Sequence, residues 1–327
     1  MPHRIAKQIH NEILQAKKIL LVPHQNPDGD AHGSVSCFSH YLNSINKPHS
    51  IFCLTESTPK LNSLPHLVDI PTDDSVWQDD SHDLILVVDS GDLKYAGIYN
   101  YIKKLKHDPL IINIDHHPTN NYFGHINLVV EKSSSTTEII YGFLKYNNIK
   151  IDKNMAASLL TGLITDTENF TNPGTTTNSL KVASDLIKKG ANFNTIKTWF
   201  LRDKTFASLK LWGVVFSRLE KHEKHEIVYT YITKRDLEEN EASESEAEGI
   251  ANFMNNLGDG KASLILKERT GGSVKGSLRT TSDNFDVSEI AKALGGGGHK
   301  KASGFTLEDV SMDEAFDKVW QTVESLA

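Results

Sequence analysis

The amino-acid sequence predicts an α/β protein with a doubly wound, mostly parallel sheet, joined by a helical connector to a smaller α+β domain. In the first half of the chain, short and continuously apolar runs alternate with helical stretches, which is the pattern of strands covered on both faces of a parallel sheet. In the second half, two strands separated by Gly271-Gly272 predict a hairpin, and helices close the chain. A length of 327 residues suits two cores better than one.

Each domain is predicted from its own elements. The helix over Asn154–Ile164 has small and apolar residues on most faces, so we expect it to be buried; a second helix covers Ser179–Lys189. Residues 194–224 predict one long connecting helix with a solvated, charged end. The predicted boundaries are a first domain at 1–193, a connector at 194–225 and a second domain at 226–327. The strands predicted in the first domain are Lys18–Pro23, Ser50–Leu54, Asp83–Asp89 and Leu110–Asp115.

Composition and charge exclude several kinds of protein. The net charge of -7 argues against a protein that coats long duplexes with a basic face, but it allows a small anionic substrate in a local pocket. No apolar run approaches the ~20 residues that span a bilayer. The N-terminal residues Ile5, Ile9 and Ile13 predict an amphipathic helix and not a signal peptide. We therefore expect a cytoplasmic protein that is not bound to a membrane.

Imidazole and carboxylate side chains follow the first predicted strand. His24, Asp28 and Asp30 lie together in a tight polar turn. They could bind metal ions, or they could form an Asx turn that caps the next helix, because Asp and Asn are favoured at the N-cap. The segment alone leaves both interpretations open.

Three later segments place the same residue types where a ligand site is expected. Asp89 ends one strand, residues 115–117 (Asp-His-His) end another, and Asp166 ends the buried helix. Ligands of open α/β sheets bind beyond the carboxyl ends of the strands, so we expect these side chains in one crevice. A lone aspartate at such an end is usually a cap, but four separate coincidences are harder to explain in that way. Carboxylate and imidazole ligands without thiolate favour Mn²⁺ over structural Zn²⁺, with Mg²⁺ or Co²⁺ as substitutes.

In combination, these segments resemble the four ordered motifs of the DHH phosphoesterases, and a glycine-rich segment resembles the smaller DHHA1 domain associated with them. The resemblance covers nearly the whole chain. Within the family, the chain is most similar to the nanoRNases, which are bifunctional oligoribonucleases and phosphatases of 3'-phosphoadenosine 5'-phosphate (pAp). The matching segments are His24-x-x-x-Asp28-Gly-Asp30-Ala, the strand end at Asp89, Asp115-His116-His117, Gly162-Leu-Ile-Thr-Asp166-Thr and Gly295-Gly-Gly-Gly-His299-Lys-Lys-Ala-Ser-Gly304.

The resemblance implies a centre of two divalent metal ions that are bridged by Asp89. It makes His117 a residue that contacts phosphate and not a ligand, and His117 and His299 would both donate hydrogen bonds to phosphoryl oxygens. We therefore predict Asp89, His117 and His299 as catalytic residues. Ser135-Thr-Thr-Glu138 matches a capping box and also resembles a family segment near the metals; we interpret it as a cap. The implied ligands are His24, Asp28 and Asp89 for one ion, and Asp30, Asp89, His116 and Asp166 for the other.

The second domain is expected to bind the rest of the substrate, with catalysis in a cleft between the domains. The glycines at 295–298 expose backbone N–H groups and allow close approach of a phosphate, base or ribose, although such a run also fits a flexible loop. Arg279 could bind phosphate with two hydrogen bonds or simply face solvent. Ser303 stands where the family pattern has alanine. The predicted substrate-binding residues are Arg279, Gly296, Gly297, Gly298, His299 and Ser303.

These features predict a two-metal enzyme, with Mn²⁺ as the first choice of ion, that hydrolyses short oligoribonucleotides to nucleoside 5'-monophosphates and also dephosphorylates pAp. One alternative is a dedicated pAp phosphatase or linear dinucleotide phosphodiesterase. Another is a catalytically silent nucleotide-binding protein, which an incomplete ligand set would favour; all the expected ligands are present. The expected partner is a short single-stranded RNA or a small nucleotide, and a homodimer is an assembly that the sequence allows.

Overall fold

The computed structural model describes residues 2–201, 204–269 and 271–326. The chain divides into two compact units, Met1–Arg202 and Asp203–Ala327. This division lies inside the stretch 194–225 that we predicted as a connector. Each unit has its own sheet and its own apolar cores.

The first unit is built on a parallel sheet. Its strands are β1 (Ile19–Val22), β2 (His49–Ile51), β3 (Leu84–Val88), β4 (Leu110–Asp115) and β5 (Ile126–Val129). They pair in the order β2-β1-β3-β4-β5, and every adjacent pair is parallel. The predicted α/β class is therefore confirmed, and β5 is a strand that we did not predict.

Successive residues of each strand face opposite sides of the sheet, and both sides are apolar. Other segments therefore cover both faces. Leu21 and Leu86 pack into the core under the long helices, whereas Leu20 and Val87 pack under shorter segments on the other face. Helices α2 (Gly29–Ser44) and α6 (Lys153–Asp166) lie very close, since a Cβ on Gly33 would come within 2.4 Å of the Ser158 carbonyl oxygen. The α-helices of this unit are α1 (His3–Gln15), α2 (Gly29–Ser44), α3 (Pro59–Asn62), α4 (Tyr99–Ile102), α5 (Thr136–Tyr146), α6 (Lys153–Asp166), α7 (Thr177–Lys188) and α8 (Phe193–Leu201), and Asp74–Gln78 is a 3₁₀ helix.

The prediction of one long connecting helix is wrong. Helix α8 belongs to the first unit, and a separate helix, α9 (Phe206–Ser217), begins the second. The hydroxyl of Thr205 starts α9 by accepting a hydrogen bond from the amide of Ser208. The charged end is not a solvated connector either, because Arg218 donates two hydrogen bonds of 2.6 Å to the buried carboxylate of Asp236.

The second unit contains a mixed sheet. Its strands are β6 (Glu220–His222), β7 (Ile227–Ile232), β8 (Ala262–Glu268), β9 (Val274–Arg279), β10 (Gly297–His299) and β11 (Ala302–Leu307). They pair in the order β10-β11-β9-β8-β7-β6; β7 and β8 are parallel and the other neighbours are antiparallel. The predicted α+β class is confirmed, and so is the hairpin at Gly271-Gly272, where both residues have positive φ. Of the glycine run at 295–298, for which the sequence left a flexible loop open, the last two residues lie in β10.

Helices cover both faces of this second sheet. Helices α12 (Val287–Ala293) and α13 (Met312–Leu326) pack with Leu264 and Leu278. Helices α9 and α11 (Ile250–Phe253) pack with Ile265 on the other face. Within the described part of the chain, no helix has the length and apolar character needed to cross a membrane. The α-helices after α9 are α10 (Lys234–Glu239), α11 (Ile250–Phe253), α12 (Val287–Ala293) and α13 (Met312–Leu326), and Glu244–Ala247 and Met254–Asn256 are 3₁₀ helices.

Candidate metal centre

The polar residues that follow the strands meet where the strand order reverses. The chain leaves β1 towards β2 and leaves β3 in the opposite direction towards β4, and such a switch point is where open α/β sheets bind ligands. His24 follows β1 and Asp89 follows β3; Nε2 of His24 lies 3.7 Å from Oδ2 of Asp89. Asp89 has a left-handed backbone with φ of 56°, a strained conformation that tends to occur at functional sites.

All the predicted metal ligands converge at this point. Nε2 of His116 lies 3.7 Å from Oδ1 of Asp89 and 3.4 Å from Oδ2 of Asp166. Such separations leave room for a small cation between the atoms at a ligand distance of ~2.1 Å. Potential ligand atoms lie within 4.8 Å of one another in each of three groups: His24 with Asp28 and Asp89, Asp30 with His116 and Asp166, and Asp89 with His116 and His117.

Hydrogen bonds orient the imidazoles towards these carboxylates. Nδ1 of His24 donates to the carbonyl of Gln25 at 2.8 Å, and Nδ1 of His116 faces the carbonyl of Ser133 at 3.4 Å. Each ring therefore keeps its Nε2 lone pair for a cation. Metal-binding histidines commonly have a backbone carbonyl at the other ring nitrogen in this way. The ring of Tyr95 stacks on His24 with a centroid distance of 4.8 Å, which further fixes its orientation.

Asp28 is the N-cap of α2, and its position is also compatible with metal binding. Its Oδ1 accepts hydrogen bonds from the amides of Asp30 at 2.9 Å and Ala31 at 3.0 Å, so it is the N-cap of α2. It also lies in the group with His24 and Asp89. The oxygen that caps the helix, Oδ1, is also the one that lies 3.8 Å from Nε2 of His24.

The first residues of α5 orient the buried carboxylates of Asp30 and Asp89. Asp30 accepts hydrogen bonds from the amides of Thr136 at 2.6 Å and Thr137 at 3.0 Å, and from the hydroxyl of Thr137 at 2.7 Å. The hydroxyl of Thr136 donates to Oδ1 of Asp89 at 2.8 Å. Burial raises the pKa of Asp30, and the hydrogen bonds from Thr137 at the helix N-terminus partly offset this shift.

The capping interpretation of this segment is confirmed but was incomplete. Ser135 accepts a hydrogen bond from the amide of Glu138 at 3.0 Å. The carboxylate of Glu138 accepts from the amide of Ser134 and not from that of Ser135, so the capping box does not form. We missed the contacts of the two threonines, although the family resemblance of this segment already indicated a place near the metals.

The electrostatics of the cluster fit divalent cations. Burial, followed by the charges of Asp30, Asp28 and Asp166, raises the pKa of Asp89 well above its ordinary value. Burial and the charges of Asp30 and Asp28 likewise raise the pKa of Asp166 to about 9. Four crowded carboxylates are unfavourable alone, whereas cations between them would neutralise the repulsion. The donor set of oxygen and imidazole nitrogen therefore fits two divalent metal ions.

His117 lies beside the cluster and has a partner of its own. Its Nδ1 donates to Oδ1 of Asp115 at 2.7 Å, so this atom is not available as a ligand even though Oδ1 of Asp89 is 3.8 Å away. The hydrogen bond to Asp115 raises the pKa of His117. Its Nε2 remains for a group outside the protein, which supports a role in contacting phosphate.

A buried amide network holds Asp115 and was not predicted. Asn120 donates to Oδ2 of Asp115 at 2.6 Å and to Oδ1 of Asn113 at 2.8 Å, and Asn113 donates to the carbonyl of Ser90 at 3.1 Å. Ser90 directly follows Asp89, so the network connects the turn at Asp89 with the partner of His117. The one available sequence signal was a polar Asn113 within an apolar strand.

Asn120→Ala is expected to lower kcat for phosphoester hydrolysis by about 10- to 100-fold, because Asp115 and His117 lose a buried orienting partner. Metal content should stay the same, since the Asn120 amide donates to Ser90, Asn113 and Asp115, which are not candidate metal ligands. Steady-state kinetics and metal analysis of the same preparation check this. A variant with normal kcat would show that the network is only structural.

Gly162→Ala is expected to displace Asp30 and Thr137 and so to destabilise the metal centre. A Cβ at this position would lie 2.5 Å from both Oδ1 of Asp30 and Cγ2 of Thr137, in a buried place where neither can move freely. We expect a loss of about 1–3 kcal/mol in the free energy of unfolding, together with lower activity. Gly213→Ala in α9 is the matched control, because nothing lies within 4 Å of its Cβ position. Equal stability of both variants would contradict the packing.

The two side chains predicted to bind substrate in the second unit share one face of its sheet. His299 is paired with Ala302, and Ala302 with Arg279, so all three lie at one register across β10, β11 and β9. Arg279 is held by a hydrogen bond of 3.2 Å to Oδ1 of Asn252. His299 is exposed on the edge strand. The register places both side chains on the same side, and their contact with substrate stays a prediction.

Three of the other residues predicted to bind substrate, Gly296, Gly298 and Ser303, have packing roles. A Cβ on Gly296 would lie 2.1 Å from the carbonyl oxygen of Gly304, and Gly298 has φ of 138° and no room beside Ala302, whereas Gly297 faces open space. The buried hydroxyl of Ser303 donates to the carbonyl of Val287 at 2.7 Å. These contacts explain the residues without a ligand, and their predicted substrate contacts remain predictions.

Comparison with known proteins agrees with both units. Residues 18–163 match the DHH family, N-terminal domain, and residues 224–326 match the DHHA1 domain. The chain belongs to the DHH family. The predicted family is therefore confirmed, with the DHH domain before the DHHA1 domain along the chain.

Similar proteins span the same length. A protein of Thermus thermophilus named bifunctional oligoribonuclease and PAP phosphatase NrnA is 27% identical, over 95% of this chain and 91% of its own length. A Bacillus subtilis protein of the same name is 26% identical, over 94% of each. The crystal structure of an exopolyphosphatase-related protein from Bacteroides fragilis superposes with a TM-score of 0.88 at 26% identity, covering 98% of this chain and 96% of that one. The predicted resemblance to the bifunctional oligoribonucleases is confirmed.

Proposed function

We propose that this DHH phosphoesterase hydrolyses short oligoribonucleotides to nucleoside 5'-monophosphates and also dephosphorylates pAp. The observation that carries the proposal is the convergence of four carboxylates and two imidazoles at the switch point of the sheet, with His117 beside them. The names of the full-length relatives from T. thermophilus and B. subtilis support the same substrates.

Two Mn²⁺ ions fit the donor set, because carboxylate oxygen and imidazole nitrogen without thiolate suit this ion, with Mg²⁺ or Co²⁺ as substitutes. When bound, the ions would supply a water molecule of lowered pKa and neutralise charge that develops on the phosphoryl group. Asp89 would bridge them. The residues that would hold one ion are His24, Asp28 and Asp89, and those that would hold the other are Asp30, Asp89, His116 and Asp166.

The chain's own residues orient the substrate. His117, held through Nδ1 by Asp115, directs Nε2 away from that partner and can donate a hydrogen bond to a phosphoryl oxygen when it is protonated. Arg279 and His299 of the second unit bind the part of the substrate that is not cleaved. An acidic chain with a local basic face suits small nucleotides better than long duplexes.

A time course with Mn²⁺ tests this proposal. The substrates are 5'-labelled RNAs of two to about ten nucleotides, with pAp and pyrophosphate alongside; the range of lengths separates a pocket from an extended single-strand track. We expect rapid release of 5'-monophosphates from the shortest RNAs and slower release of phosphate from pAp. Activity on pAp or a dinucleotide alone would restrict the function to that substrate. Inactivity on every substrate would overturn the proposal in favour of a nucleotide-binding protein.

A further inference from the structure

One face of the second sheet carries basic side chains that the metal centre does not use. Lys275, Ser277 and Arg279 alternate along β9 and so share a face, and Lys267 of β8 is paired directly with Lys275. Arg269 follows two residues after Lys267. All five line a pocket with a volume of about 350 Å³.

The pairing of Lys267 with Lys275 is unfavourable without an anion. Like charges directly opposite each other on neighbouring strands repel. The side chain of Lys267 is only 16% exposed, so water screens its charge poorly. The whole chain carries a net charge of -7, so this cluster of positive charge differs from the average charge of the chain. The arrangement is therefore that of an anion-binding pocket.

The protein places one of its own carboxylates in this pocket. Oε2 of Glu244 lies 3.1 Å from Nζ of Lys267 and 3.8 Å from Nη2 of Arg269. The hydrogen bond from Lys267, together with the charges of Lys267, Arg269 and Lys275, lowers the pKa of Glu244. Glu248 also lines the pocket, but its four basic residues still outnumber the two glutamates. Glu244 is also 44% exposed and begins a short 3₁₀ helix, so its side chain can turn towards solvent.

We propose that this pocket binds a phosphate group of the nucleotide substrate other than the one that is cleaved, and that the phosphate replaces the carboxylate of Glu244. This inference rests on the proposed function. Lys275 and Arg279 are four residues apart on one strand, or ~13 Å at ~3.4 Å per residue. The same face therefore extends from the register of Arg279 and His299 to the pocket. A substrate with a second phosphate gains a contact that a substrate with one phosphate lacks.

Binding of two dinucleotides that differ by one phosphate tests the pocket. Titration calorimetry on the full chain in EDTA compares a 5'-phosphorylated dinucleotide with the unphosphorylated one, so that cleavage does not interfere. Lys275→Gln should weaken binding of the phosphorylated dinucleotide by about tenfold and that of the other by less than twofold, as expected for one charged hydrogen bond. Glu244→Gln should strengthen binding of the phosphorylated dinucleotide, because it removes the competing charge. Lys318→Gln is the control, since Lys318 is on α13 at the opposite face.

The outcomes separate this inference from the proposed function. Equal binding of the two dinucleotides by the unsubstituted chain, or equal losses in Lys275→Gln and Lys318→Gln, would overturn the pocket. Unchanged or weaker binding of the phosphorylated dinucleotide by Glu244→Gln would overturn the exchange with the carboxylate. Tighter binding of the phosphorylated dinucleotide without hydrolysis of either by the Mn²⁺-loaded chain would support the pocket and refute the oligoribonucleotide part of the proposed function.

Discussion

Asp89→Asn should abolish hydrolysis, with kcat lower by more than about 1,000-fold, because it removes the carboxylate whose two oxygens each lie 3.7 Å from a candidate ligand, Nε2 of His24 or Nε2 of His116. Asn tolerates the left-handed backbone at this position, so the fold should persist. Steady-state kinetics with Mn²⁺ and a short RNA measure the loss. Asp83→Asn is the matched control: Asp83 precedes the other end of β3, where it accepts hydrogen bonds from the amides of Lys17 and Lys18.

The same variant should be more stable than the unsubstituted chain when both are free of metal. Because the folded chain raises the pKa of Asp89, its carboxyl group costs stability as the pH rises from the ordinary aspartate value of about 4 towards the raised value. Asn carries no charge, so Tm in EDTA at neutral pH should rise by a few degrees, at roughly 2–4 °C per kcal/mol for a unit of this size. Added Mn²⁺ should stabilise the variant less than the unsubstituted chain. Substantial hydrolysis by Asp89→Asn would contradict the bridging role.

His117→Asn should lower kcat by about 100- to 1,000-fold, because the phosphoryl group loses a positioned imidazole. Its metal content should equal that of the unsubstituted chain, since Nδ1 of His117 is bound to Asp115 and the ring is not among the assigned ligands. Kinetics and metal analysis on one preparation check both statements. Loss of a metal ion in this variant would make His117 a ligand and contradict the assignment.

The metal centre could be predicted because its residues obey a rule of sheet topology. His24, Asp89 and the Asp-His-His sequence at 115–117 each follow a predominantly apolar run, and such runs predict buried parallel strands whose carboxyl ends meet. The ligand types then indicated the kind of metal. The fold class followed from the same runs, since long buried strands give a strong local signal.

Features that depend on contacts between distant residues could not be predicted in this way. Asn120 and Thr136 orient Asp115 and Asp89 through hydrogen bonds that form only in the folded chain. Strand β5 is short and interrupted by the polar Asn127, and β10 consists of two glycines and a histidine, so neither gives a continuous apolar run. The break before α9 did have a local signal, the N-cap residue Thr205, but the apolar residues on both sides favoured one continuous helix.

Counting the bound metal ions tests the central claim most directly. The purified full chain is dialysed against Mn²⁺, and the bound metal is measured beside Asp89→Asn and the control Asp83→Asn. The geometry of the centre predicts two Mn²⁺ per chain for the unsubstituted protein and for Asp83→Asn, and fewer than two for Asp89→Asn. Fewer than two ions in the unsubstituted protein, or two in Asp89→Asn, would contradict a centre of two ions bridged by Asp89.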